Sequence, residues 1–203
     1  REWSSLKYNK YSKEIYNSNN IDAGVINFLL KNSGMRVAVP GDDFNGDILR
    51  LIKDKYYTDF NAKSVQSEKS SYEKNNGLWK KVIELSESIN GSVKYPFMIQ
   101  GFYNMPDKNE KDYGIKLIPA PNFSIIEDDR LSEKYNGWKF DSVDEKGLPL
   151  SLDKSKGSRT FYTRGDGLSR VNLIRVCYLI ARDGILADSN VGGRVVLVKE
   201  NKK

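Results

Sequence analysis

The residues best suited to ligand contact lie together, between Val171 and Gly193. Tyr178 is a rigid aromatic able to anchor a ligand, and Arg175 and Arg182 carry planar guanidinium forks that pair with carboxylates. Catalytic chemistry is thinner. The 203 residues include no His and one Cys, Cys177. The commonest general base is therefore missing, along with His-based metal sites and the Ser-His-Asp and Cys-His arrangements. A single Cys also excludes a Cys-rich zinc site and any intrachain disulfide. Carboxylates remain, as the pair Asp42 and Asp43 and the cluster Glu127, Asp128 and Asp129. An EF-hand needs Glu at its twelfth position. Counting from Asp42 or Asp43 reaches Lys53 or Asp54 instead, so this stretch reads as a turn with a helix cap. Arg164-Gly165-Asp166 matches an integrin-type tripeptide, but a hairpin turn through Gly165 to Gly167 explains it more simply. No catalytic residue, metal or cofactor is assigned, and the chain is not expected to be an enzyme.

The binding residues sit inside a composition break. Lys is the commonest charged residue up to Lys156 and is then absent until Lys199. Glu, Gln, Met and Trp are also missing from Gly157 to Val198, where the positive charge is carried by Arg159, Arg164, Arg170, Arg175, Arg182 and Arg194. These five absent types make up roughly a fifth of the chain, so about eight would be expected in such a window. An Asn codon ending in C or T, randomised only at its adenines, can encode Asn, Ser, Thr, Ile, Asp, Gly, Ala, Val, His, Arg, Pro, Leu, Tyr, Cys or Phe. It cannot encode Lys, Glu, Gln, Met or Trp. The run after Val171 also lacks a consistent inside and outside, although Leu173, Leu179 and Leu186 recur as anchors expected to point into the core.

Gly167-Leu168-Ser169-Arg170-Val171, Leu173, the mixed run after it and the closing Gly193-Arg194-Val195-Val196-Leu197-Val198 resemble the variable region of diversity-generating retroelement variable proteins. The resemblance implies a C-type lectin-like fold and hypervariable ligand binding, with adenine-directed reverse transcription changing the contact residues. Those within the allowed alphabet are Asn172, Ile174, Arg175, Val176, Cys177, Tyr178, Ile180, Arg182, Asp183, Gly184, Ile185, Asp188, Asn190, Val191 and Gly192. Ile174, Val176, Ile180 and Ile185 would give this variant an apolar patch suited to a protein partner. A second likeness lies upstream. Gly34-Met35-Arg36-Val37 with Pro40, an acidic turn and a short helix looks like the start of the C-type lectin-like domains that include formylglycine-generating-enzyme relatives. Here Met35 replaces an aromatic and extra residues precede Pro40. The single Cys177 argues against the oxidase activity of those relatives. The calcium-dependent sugar motifs of true C-type lectins are absent, so no calcium site is carried over.

Bulk properties agree with a binding domain. The net charge of +6 comes mostly from Lys dispersed among Asn, Ser and Asp, which describes a solvated surface better than a nucleic-acid patch. Hydrophobic residues are 38% of the chain, including 12 Tyr, 8 Phe and 3 Trp, enough for a packed core. No run approaches the roughly 20 apolar residues of a membrane span. The chain begins at Arg1 and reads as a fragment or expressed piece, with any upstream signal or anchor outside it. The expected partner is a protein or glycan ligand on a cell surface, and the expected location a virion or cell surface.

Elements must position this region. Residues 1–20, with Tyr8, Tyr11 and Tyr16, read as an extended arm, and 21–203 as the ligand-binding domain with its variable region at about 168–198. Helices are expected at 21–32 with Asp22 as N-cap, after the acidic turn through Tyr56, and at 78–89. A polar connector is expected from Asp59 to Gly77. Strands are expected at 35–40, 93–105, 113–118, 137–140 and 159–163, with a turn at Pro119 to Pro121 and an acidic insertion at 122–136. The C-terminal region is expected to pair Leu168–Val176 with Gly193–Val198 around a long variable loop. The fold class is α+β, a C-type lectin-like fold with a mainly antiparallel sheet, two or three helices and long loops. Two other readings stay open: a viral structural or attachment subunit without diversification, and a carboxylate-dependent enzyme using Asp42, Asp43 or Glu127 to Asp129.

Overall fold

The structure is a computed structural model that describes residues 7–10, 14–52, 56–70, 76–111, 113–174, 178–182, 186 and 192–200. The sheet converges on one strand, β4 (Tyr57–Val65), every residue of which is buried. The polar connector expected from Asp59 is thus corrected at its start. Phe60 and Ala62 face one core cluster, with Met98, Phe140, Phe161, Val171 and Leu173. Val65 belongs to a second cluster, with Ile21, Leu78, Phe97, Ile99, Phe102 and Leu168. Both faces of the sheet are therefore covered. The polar residues Asp59, Asn61 and Lys63 stand at the alternate positions to Phe60 and Ala62 and are buried too.

One half of β4 pairs antiparallel with β5 (Phe97–Pro106), which pairs with β6 (Ile115–Glu127). On its other side β4 pairs antiparallel with β9 (Leu168–Ile174), and at Tyr57 and Thr58 it pairs parallel with β11 (Gly193–Arg194). Beyond β9 come β10 (Tyr178–Arg182), β8 (Arg159–Tyr162) and β7 (Trp138–Phe140). Only the β10–β8 and β11–β4 pairings are parallel among the described strands, so the sheet is mostly antiparallel and the class α+β. The hairpin β1 (Lys7–Asn9) and β2 (Glu14–Tyr16) extends the sheet past β11 through Tyr16 and Arg194. Residues 14–20 are thus part of the packed body and not a separate arm. A small second sheet joins β3 (Met35–Val37) to β12 (Leu197–Lys199).

Helices α1 (Asn20–Leu29), α2 (Asp47–Leu51) and α3 (Asn76–Asn90) join these strands, with short 3-10 turns at Pro40–Asp43, Asp129–Leu131 and Glu133–Tyr135. Asn19 caps α1, accepting from the Asp22 N–H while the Asp22 carboxylate accepts from the Asn19 N–H. Asp22 is therefore the third residue of a capping box and not the cap. Helix α2 ends before Tyr56, whose ring instead carries the Arg194 guanidinium 3.8 Å from its centroid. The expected turn at Pro119 to Pro121 is a register irregularity inside β6. Gln100 pairs with Ser124 and Phe102 with Pro119, leaving residues 120–123 opposite Gly101. Gly101 has φ +70°, and a Cβ there would meet the Asn122 carbonyl oxygen at 2.5 Å, so the bulge requires glycine. The prolines are tolerated because, among the described strands, β6 pairs only with β5.

Helix α1 is fastened to the sheet by side-chain amides. Asn20 Nδ2 donates to the Phe60 and Ala62 carbonyls at 3.1 and 3.0 Å. Asn27 and Asn61 both donate to the Phe102 carbonyl, and Asn104 donates to the Ile21 carbonyl. The Phe60, Ala62 and Phe102 carbonyls sit at or beside the register shifts in β4 and β5, where strand-to-strand pairing is interrupted. Replacing Asn20 with Ala strands two buried carbonyls at once. The variant is expected to lose about 2–4 kcal/mol of unfolding free energy, read from urea denaturation, and a loss under about 0.5 kcal/mol would contradict the clamp.

Candidate ligand-binding surface

Strand β9 is the fixed floor of the region. Val171 and Leu173 point into the first core cluster, while Leu168 joins the second. The expected strand pairing is corrected. β10 lies antiparallel beside β9 and parallel to β8, so five residues of the anticipated loop form a strand between them. It follows that β8 and β9 do not form the hairpin expected at Gly165 to Gly167. The closing segment does not pair with β9 either: Gly193–Arg194 enters beside β4, and Leu197–Lys199 joins β3. A run with little binary alternation can still be a strand when both faces of the sheet are covered.

The register sorts the expected contact residues. Ile174 stands opposite Tyr178, Asn172 opposite Ile180, and Arg170 opposite Arg182. Five expected contact residues thus share one register parity of the β9–β10 pair. Leu173 and Val171 occupy the other parity, opposite Leu179 and Ala181. Leu173 and Leu186 are fully buried, as expected of anchors, and Leu186 packs with Ile21, Val65, Leu78 and Leu168. Gly192 is buried, and its carbonyl accepts from the Tyr57 N–H at 3.0 Å. Arg175, Val176, Cys177, Asp183, Gly184, Ile185, Asp188, Asn190 and Val191 lie outside the described residues.

Asn172 requires a correction. It is 2% exposed, and Ile174 is partly buried. The reason is the covering on the α1 side of the sheet: Asn172 pairs in register with Asp59 of β4, and Asp59 is itself sealed by Ser18, whose Oγ donates to Asp59 Oδ2 at 2.9 Å. Asn172 Oδ1 and Asp59 Oδ1 have no hydrogen-bond partner among the described residues. Arg170 and Lys63 are buried in the same neighbourhood and pair in register. Lys63 Nζ donates to Asn20 Oδ1 and lies 4.6 Å from the centroid of the Phe102 ring. Sequence reasoning missed this polar floor because Asp59 and Lys63 fall in a stretch that reads as connector. The one available signal was the alternation of Phe60 and Ala62 with polar neighbours.

Burial sets the electrostatics here. It pushes the Asp59 carboxyl up to about 6, against the opposing pull of Arg170, the Ser18 hydroxyl and Lys63. Burial likewise pulls the Lys63 ammonium down to about 7, against the charge of Asp59. Elsewhere the carboxylates considered for catalysis are held locally. Asp42 makes a bidentate pair with Arg36, and Asp43 pairs with Arg159 at 3.4 Å while accepting from the Leu49 N–H. Glu127 accepts from the Lys94 N–H, Asp128 pairs with Arg130, and Asp129 pairs with Lys134.

No family model, no curated protein and no solved structure matches this chain. Among the described residues no helix is long and apolar enough to cross a membrane.

Two measurements follow from this geometry. Leu186→Ala is expected to cost roughly 2–5 kcal/mol in chemical denaturation, and a change below about 1 kcal/mol would show that Leu186 does not hold its segment. Stability should also depend on pH through the buried pair. The native state keeps the Asp59 proton that the unfolded chain has released, so this contribution is present below the ordinary carboxylate pKa and is lost as pH rises through about 6. The unfolded chain keeps the Lys63 proton that the native state has released, so that contribution falls away as pH drops through about 7 and returns toward 10.5. In Lys63→Met the alkaline rise in stability should disappear, and its persistence would contradict the assignment.

Proposed function

We propose that the chain is a ligand-binding protein whose framework carries a surface diversified by a mutagenic reverse transcriptase, on a C-type lectin-like scaffold. The observation that carries this reading is the match between alphabet and register. From Gly157 to Val198 the residue types are those reachable from an adenine-randomised Asn codon together with fixed positions. Within β9 and β10 the expected variable residues fall on one parity and the hydrophobic anchors on the other. A framework of this kind separates residues that specify the fold from residues that specify the ligand.

The contact set is narrower than the alphabet alone suggests. Asn172 and Gly192 are buried and act in support, and contact falls to the remaining positions between Ile174 and Val191. Tyr178 would supply the aromatic anchor and Arg175 and Arg182 the charged forks, in keeping with the preference of binding hot spots for Tyr and Arg. The partner is a protein or glycan displayed on a cell surface. Neither a metal nor a cofactor enters this reading, and the chain acts by binding alone.

The flanking DNA gives the test. A near-copy of the codons for residues 168–198, with adenines at the disputed positions and a reverse transcriptase gene beside it, is expected. Deep sequencing of the encoding gene across a population should show substitutions clustered at adenine sites within 172–192. A uniform sequence with no such copy would overturn the reading and leave an undiversified viral structural or attachment subunit in its place.

A further inference from the structure

Ser18 joins two parts of the structure that the sequence keeps far apart. Its Oγ donates to Asp59 Oδ2 at 2.9 Å, and its N–H donates to the Gly193 carbonyl at 3.4 Å. Two residues on, Asn20 Oδ1 accepts from Lys63 Nζ at 2.5 Å, and the Asn20 backbone carbonyl accepts from the same ammonium at 3.4 Å. Residues 17–20 thus cross from the buried charges of β4 to the point where the chain returns from the expected variable segment. That return is held close. The Tyr57 N–H donates to the Gly192 carbonyl at 3.0 Å, and a Cβ at Gly193 would stand 2.5 Å from the Ser18 carbonyl oxygen. The other end of the segment meets the same charges, since Asn172 pairs in register with Asp59, and Arg170 with Lys63.

Asp59, Lys63 and Ser18 are fully buried. Complete burial of Asp and Lys is rare, because each charge gives up its hydration shell. The elements packed around them carry further charged and titratable groups. β9 brings Arg170, with Arg182 of β10 opposite it in register. β4 itself brings Tyr57, whose ring centroid lies 5.6 Å from Arg170 Cζ. α1 brings Asp22, whose carboxylate accepts from the Asn19 N–H, and β11 brings Arg194, stacked on Tyr56 and Tyr16. Lifting residues 17–20 lets water reach Asp59 and Lys63 and relieves the cost of keeping them dry.

We propose that residues 17–20 form a proton-operated latch across the two ends of the expected variable segment, loosest near neutral pH and tighter on either side. On the ligand-binding reading, on which its purpose rests, the latch sets how firmly the segment is held without altering a contact residue. Opening moves protons differently at different pH. Burial raises the Asp59 carboxyl to about 6 and lowers the Lys63 ammonium to about 7, and exposure returns them toward 3.8 and 10.5. Between these two buried values both groups are charged whether the latch is closed or open. Opening then moves no proton, and the desolvation cost of both charges favours it. Below that window the closed state holds a proton on Asp59 that opening must release. Above it the closed state lacks a proton on Lys63 that opening must take up. Either exchange makes opening harder.

Amide hydrogen exchange on the full chain tests the latch with no ligand present, each rate being divided by the intrinsic exchange rate at the same pH. Protection of the Ser18 and Tyr57 amides is expected to be lower than in β5 and α3. It should pass through a minimum between about pH 6 and about pH 7 and rise on each side, approaching about tenfold per pH unit. Asp59→Asn should flatten the acid side alone, and Lys63→Met the alkaline side alone. Should either variant fail to fold, the wild-type profile decides. Protection that stays flat from about pH 5 to about pH 8 would sink the latch, as would Ser18 and Tyr57 amides that exchange only together with β5 and α3. Absence of a codon copy in the flanking DNA would leave this profile untouched, so the latch and the diversification reading fail separately.

Discussion

The fold depends on a set of amide side chains doing what a strand neighbour would otherwise do. β4 and β5 each carry a register shift, and a shift interrupts the regular pairing of carbonyls along its strand. Those carbonyls lie in the interior, where an unpaired acceptor is costly. Asn20 and Asn27 supply missing donors from α1 and Asn61 another from within the sheet, while Asn104 of β5 ties back to the Ile21 carbonyl of α1. The helix can approach this closely because it carries Gly24, where an added Cβ would lie 2.4 Å from Asn104 Nδ2. Hydrophobic packing alone could not dictate the register of α1 on a bulged sheet, whereas directional bonds to particular carbonyls do.

This clamp has a consequence for the C-terminal region. Because α1 and residues 17–20 cover one face of the sheet and the first core cluster covers the other, β9 is buried from Leu168 to Leu173, with Ile174 only partly so. Leu168 to Leu173 cannot be a display surface, however permissive their codons. On the proposed reading, ligand contact is left to the expected positions outside this buried stretch of β9. Confining change to positions outside the packed framework protects such a fold.

Much of this was legible in advance, and the failures share one cause. Helix α3 announced itself by apolar spacing from Leu78 to Ile89, and α1 by Val25, Ile26 and Leu29 with Gly34 beyond. β7, β8 and the core of β5 were readable from aromatic and β-branched residues. β4 was not, because Asp59, Asn61 and Lys63 look solvated until their partners are known, and those partners are 41 to 43 residues away in Ser18, the Phe102 carbonyl and Asn20. The run through Pro119 and Pro121 read as a turn because an edge strand tolerates prolines that a central one rejects. β10 was hidden by its lack of alternation, and with it the arrangement that places five expected contact residues in one register set.

The central claim is that the chain separates a fold-specifying lattice from a ligand-specifying set within a single short window. A deep mutational scan of residues 168–198, scored for folded protein, addresses it most directly. The account predicts that Leu173 and Leu186 tolerate almost nothing, that Asn172 tolerates little, and that positions 175–177 and 187–191 accept most residues of the adenine-derived alphabet. Uniform intolerance across the window would mark an ordinary core segment and contradict the claim.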